Sequence, residues 1–147
     1  MTASLLCLLA SSASAAGPLP NPCALISKAQ VSGILGSKIV STAPAGNSLY
    51  RSCAWTAKSI APTGVEPVQR ALRIQIARST KAAFLQQADH QPNAQRVAGV
   101  GQAAWTARPT NALNVYSNGF TLELSSVFTA SPLAAEKTAA KIVLRQL

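Results

Sequence analysis

The chain has 147 residues, of which 48% are hydrophobic and only 12% charged, and it carries 13 Lys and Arg against 4 Asp and Glu, a formal net charge of +9. The hydrophobic share is too high, and the 9 prolines and 8 glycines too few, for a disordered or collagen-like chain, and no apolar run approaches the roughly 20 residues that cross a bilayer as a helix. The size is that of one globular domain at most.

Residues 1–16 read as an export signal, leaving residues 17–147 as a single domain. Met1 to Ala10 forms a short apolar block, and Ala13, Ser14 and Ala15 supply the small-x-small pattern that signal peptidase accepts. Cleavage is expected after Ala15 or Ala16, and the protein is expected to be secreted, periplasmic or associated with the cell envelope. The customary Lys or Arg ahead of the apolar block is missing, which means either a weak signal or a start upstream of Met1. Leu6 stands before Cys7 where lipid attachment needs a small residue, which argues against a lipid anchor. Removing the signal deletes Cys7 and leaves Cys23 and Cys53, an even pair in an oxidising compartment, so one disulfide is expected. Two cysteines 30 apart with a lone His90 have neither the spacing nor the ligand number of a metal or redox site.

In chain order, Ser27 to Gln30 is a capping box, with Ile26 and Val31 at the staple positions and Gly36 as a left-handed stop. Val31, Ile34 and Leu35 are the expected buried stripe of this short helix. Strands follow over residues 38–42 and 49–57, separated by the turn formers Pro44 to Asn47. Cys53 and Trp55, two apart, share one face. Over residues 68–78, Leu72, Ile74 and Ile76 alternate with Ala71, Arg73, Gln75 and Ala77, the period of a strand. Residues 60–67 read as a loop. Ser79 or Thr80 caps a helix that lines the core with Ala83 or Phe84, Leu85 and Ala88 and ends before Pro92.

A short strand over residues 102–107 carries Trp105. Next, Asn118-Gly119 is a type I′ hairpin turn that pairs Val115 with Leu122 and Leu113 with Leu124 on one face, and Asn114 with Glu123 and Tyr116 with Thr121 on the other. Ser131-Pro132 opens a last helix, to about Gln146, burying Leu133, Ala140, Val143, Leu144 and Leu147. Glu136 near its start and Lys141 and Arg145 near its end suit the helix dipole. The order is α-ββ(β)-α-βββ-α. The predicted fold is therefore α+β, a mainly antiparallel sheet with helices packed on one face and one disulfide.

Pro22 to Ile26 before the short helix, Cys53-Ala54-Trp55, Val97 to Ala104, the hairpin and the Ala-rich last helix resemble a family of small exported, often lipid-anchored actinobacterial proteins of unknown function, the DUF3558-like proteins. The resemblance implies a cell-envelope protein with a disulfide and no established activity. It brings no catalytic residues.

The acids Glu66, Asp89, Glu123 and Glu136 fall at no spacing that suggests a general acid and base. There is no nucleophile elbow, phosphate loop or His-Glu-x-x-His motif, so no catalytic, cofactor-binding or metal residue is assigned. His90 reads as a solvated helix-end residue, and Val97 to Gly101 as a turn into a strand.

All basic residues lie after the signal. Arg70, Arg73 and Arg78 gather around the middle strand, and Lys137, Lys141 and Arg145 form one stripe at i+4 spacing on the last helix. Both are candidate anion contacts; the competing reading is a solvated basic face. Trp55 and Trp105 are not interleaved with the arginines, which argues against nucleic acid. The functional expectation is a non-catalytic binding or sensor module with a basic surface, its partner an anionic envelope polymer or a protein. It would use the sheet face around Arg73, Gln75, Asn114, Tyr116 and Glu123 or the helix stripe. The alternatives are an enzyme with an unrecognised site and an inhibitor-type protein. The export reading has a direct test: mass spectrometry of the protein recovered from the envelope or medium should find a terminus at Ala16 or Gly17, and an intact Met1 terminus would refute it.

Overall fold

The computed structural model describes residues 17–58, 69–108, 111–127, 129 and 131–147. The signal reading and the expected loop at residues 60–67 fall outside the described residues. The elements are α1 (Pro22–Leu25), α2 (Lys28–Leu35), β1 (Ile39–Gly46), β2 (Tyr50–Ala57), β3 (Ala71–Arg78), α3 (Lys81–His90), β4 (Gln95–Arg96), β5 (Ala103–Thr106), β6 (Leu113–Ser117), β7 (Phe120–Val127) and α4 (Pro132–Leu144). The strands form one antiparallel sheet in the order β1-β2-β3-β7-β6-β5-β4.

Local sequence accounts for most of these boundaries. The Ser27 hydroxyl accepts from the Gln30 amide at 3.2 Å while Gln30 Oε1 accepts from the Ser27 amide at 2.9 Å, closing the capping box that starts α2. Gly36 ends it at φ +64°, a conformation in which a side chain is strained. Thr80 caps α3 by accepting from the Ala83 amide. At the β6–β7 turn both Asn118 (φ 50°) and Gly119 (φ 84°) are left-handed, as a type I′ turn demands. The register pairs Ser117 with Phe120, Val115 with Leu122 and Leu113 with Leu124, which is the predicted hairpin.

Several expectations change. Pro22 at the first position and the Asn21 side chain, which accepts from the Cys23 amide, nucleate the extra turn α1, and the two-residue β4 is a further addition. β1 runs through Pro44 to Gly46, which were expected in the turn. Pro44 is tolerated because β1 is an edge strand, where a missing amide donor costs no ladder bond. The turn instead forms at Asn47, whose side chain accepts from the amides of Leu49 and Tyr50. β3 starts at Ala71, three residues later than expected. Ser131 precedes α4 without a side-chain cap bond, and Leu133 and Leu85 are largely exposed.

The helices do not all share one face. One face of the sheet presents Cys53, Trp55, Leu72, Ile74, Ile76, Leu113, Val115, Leu122 and Leu124 to Ile26, Val31, Leu35, Ala139, Ala140 and Val143 of the N-terminal helices and α4. Its opposite face carries α3, whose Phe84 packs on Trp105 and Tyr116 with ring centroids 6.1 and 5.8 Å apart. Tyr116 alternates with Val115 along β6, and Trp105 pairs across to Asn114, so this second cluster lies behind the main core. Strand alternation marks two faces but not which helix covers each. Two aromatics on the nominally polar face were enough to recruit α3.

Cys23 and Cys53 are bonded, with Cα atoms 5.3 Å apart and a sequence separation of 30. Cysteine mapping of the denatured, unreduced protein should find neither thiol free. Replacing both by Ala should lower the unfolding free energy by about 3 to 4 kcal/mol in urea titration, the loop-closure expectation for this length; an unchanged stability would show that the cross-link adds nothing.

Candidate functional site

A groove of about 690 Å³ lies between α2 and α4, within the roughly 300–1,000 Å³ of small-molecule sites. Ile34 and Gly33 line one wall, Ala134, Ala135 and Ile142 the other, and Arg70 lies at its margin. Capping and the Gly36 stop fix where α2 ends, and Arg70, one residue before β3, donates from Nη1 to the carbonyl of Leu35 at 2.8 Å. That bond satisfies one of the carbonyls a helix C-terminus leaves open. Ile34, expected in the buried stripe, is only half-buried and lines the groove instead.

The predicted basic cluster is dispersed. Arg70 reaches α2, whereas Arg73 points from the opposite face of β3, exposed, and bonds Gln75. Arg78 sits at the far end of the strand, its guanidinium 5.2 Å from the centre of the Phe120 ring and bonded to the Gly17 carbonyl. The α4 stripe does hold together. Lys141 and Arg145 are exposed and Lys137 half-buried, one row round the helix from Ala134, Thr138 and Ile142, which line the groove.

Of the sheet face singled out from the sequence, Gln75, Asn114 and Glu123 line a polar recess of about 200 Å³ together with Gln87, Thr121 and Phe84 of α3, whereas Arg73 and Tyr116 do not line it. His90 is exposed at the end of α3, its Nδ1 2.7 Å from the Gln86 carbonyl. Among the described residues no three His, Cys, Asp or Glu side chains come together as metal ligands would, and no helix is long and apolar enough to cross a membrane.

Glu136 departs most from expectation. Read as an acid near the helix start that suits the dipole, it is instead buried at 1% exposure. Its Oε1 accepts from the Ser126 amide at 2.8 Å and the Ser126 hydroxyl at 2.9 Å, bolting α4 to β7, and the Leu113 backbone amide lies against the same carboxyl. Burial raises its pKa above the ordinary 4.5, against the lowering effect of the Ser126 bonds and of the Leu113 backbone amide. A helical wheel held the signal: residues 136, 139, 140 and 143 share one face of α4.

No family model, no curated protein and no solved structure matches the chain.

A carboxyl whose native pKa is raised binds its proton more tightly when folded. Its stabilising contribution is complete below pH 4.5 and is lost as pH rises through the native value. Urea midpoints across pH 4 to 8 should therefore show a component that falls with rising pH and that Glu136→Gln abolishes. Gln keeps an acceptor for Ser126, so the variant should be at least as stable as the native protein at neutral pH; a variant with the native pH profile would refute the assignment.

Proposed function

We propose that this protein is an exported module of the cell envelope that binds its ligand without transforming it, akin to the small exported actinobacterial proteins it resembles. The observation that supports this reading is the double use of α4, which lines an apolar groove with Ala134, Thr138 and Ile142 and carries Lys137, Lys141 and Arg145 in the next row, about 100° round its axis. A cavity with mostly apolar walls and few polar groups suits retention of a ligand, and a cationic row at its rim draws anionic envelope material toward it. The excess of 13 basic over 4 acidic residues extends that attraction over the whole surface. A signal-like start and a cross-link suited to oxidising compartments support export. The recess at Glu123 offers three side-chain amides and one hydroxyl beside one carboxylate, an arrangement for hydrogen-bonding a ligand.

The test measures binding to dextran sulfate across a salt series for two triple variants of equal net charge. One removes the stripe (Lys137, Lys141 and Arg145 to Gln) and the other removes Lys38, Lys58 and Arg96. At about 0.5 kcal/mol for each exposed contact, losing the stripe should weaken binding about tenfold and flatten the salt dependence, with a smaller effect in the control. Equal losses would mean that only net charge counts, leaving the stripe as a solvated face.

A further inference from the structure

We infer that the groove between α2 and α4 takes a single-chain, monoanionic amphiphile, a long-chain carboxylate whose head pairs with Arg70 and whose chain lies along the small residues between the helices. This rests on the binding-module reading and names the ligand class of its cavity.

The room comes from residue size. A Cβ built on Gly33 meets nothing within 4 Å, and Ala134 and Ala135 face it across the groove, so a slot runs between the bulkier Ile34 and Ile142. The wall's polar groups are largely engaged elsewhere. Gln30 Oε1 accepts from the Ser27 amide at 2.9 Å and the Thr138 hydroxyl donates to the Ala134 carbonyl at 2.9 Å. A ligand in the slot therefore meets mostly carbon, which favours an apolar chain over a sugar or a polyphosphate.

Arg70 supplies the charge. It is half-buried, its side-chain hydrogen bond among the described residues is the one from Nη1 to the Leu35 carbonyl, and no carboxylate pairs with it among them. A cation partly withdrawn from water beside apolar surface gains from an anion, through charge-assisted hydrogen bonds from the guanidinium edge that Leu35 leaves open. The Thr129 hydroxyl on the same wall is buried with no partner among the described residues, a second polar group at a site otherwise built of carbon. One positive charge beside one apolar slot matches one negative charge on one apolar chain.

Calorimetric titration of the purified protein with octanoate, decanoate and dodecanoate, each below its aggregation threshold, tests the inference. Affinity should rise about fourfold per added methylene, as burial of the chain requires. Dodecanol should bind at least about tenfold more weakly than dodecanoate, and Arg70→Gln should remove that difference. Gly33→Trp fills the slot and should abolish binding. Gly33→Ala should retain it, which separates a blocked groove from a damaged fold. Absence of binding by all three acids, native affinity in Gly33→Trp, or an unchanged preference for the acid in Arg70→Gln would each overturn the proposal. Tighter capture of dodecyl phosphate than of dodecanoate would overturn the choice of a carboxylate head. Should the acids fail while the α4 stripe still governs dextran sulfate binding, the ligand class falls and the module reading stands.

Discussion

The Cys23–Cys53 bond ties α1 to a strand position with no solvent exposure, and the position of everything N-terminal to the sheet follows from it. α2 is only eight residues long, too short to be stable on its own in water, so its place has to be imposed. The cross-link imposes it from one end, since only Ile26 and Ser27 separate α1 from α2, while Ile26 and Val31 clamp the first turn into the core. From the other end the Arg70 guanidinium holds the Leu35 carbonyl across 35 residues of chain. With both ends held, α2 stands beside α4, and the space between them is a consequence of how small their facing residues are.

The sheet receives these helices because its middle strands are strictly two-faced. Leu72, Ile74 and Ile76 of β3 sit opposite Trp55, Cys53 and Arg51 of β2 and opposite Ser126, Leu124 and Leu122 of β7, so apart from Arg51 and Ser126 at the two ends the apolar positions line up across three neighbouring strands. A one-residue slip would turn all of them toward the solvent side. The hairpin at Asn118-Gly119 secures the register of β6 and β7 locally and the disulfide secures β2. The other face is divided between the recess at Glu123 and the aromatic seat of α3, where Phe84 touches Trp105 and Tyr116.

α4 is bolted to this sheet by a polar contact inside an apolar interface. Glu136 supplies an acceptor for the Ser126 amide and hydroxyl, on a helix whose other buried residues are Ala139, Ala140 and Val143. Small side chains let α4 lie close to the strands but specify its rotation poorly; a carboxyl with two donors waiting for it specifies that rotation well, at the cost of burying an ionisable group. The same rotation sets Thr138 and Ile142 toward the groove and leaves Lys141 and Arg145 in water.

What the sequence by itself determined is local: the capping box of α2, the left-handed stop at Gly36, the hairpin and its register, the alternation of β3, and the pairing of Cys23 with Cys53. Each depends on residues a few positions apart, or on a pair with no competitor once the first 16 residues are set aside. Tertiary structure decided the rest. Pro44 lies in a strand because β1 is an edge. α3 packs behind the sheet because Trp105 and Tyr116 converge there from strands that only the fold makes neighbours. Of the three arginines grouped by sequence, Arg70 alone reaches the groove, since strand alternation turns Arg73 to the other face and the length of β3 carries Arg78 to the far end. The groove joins Gly33 to Ala134 across about 100 residues of chain, and no pattern read along one segment can report a space between two.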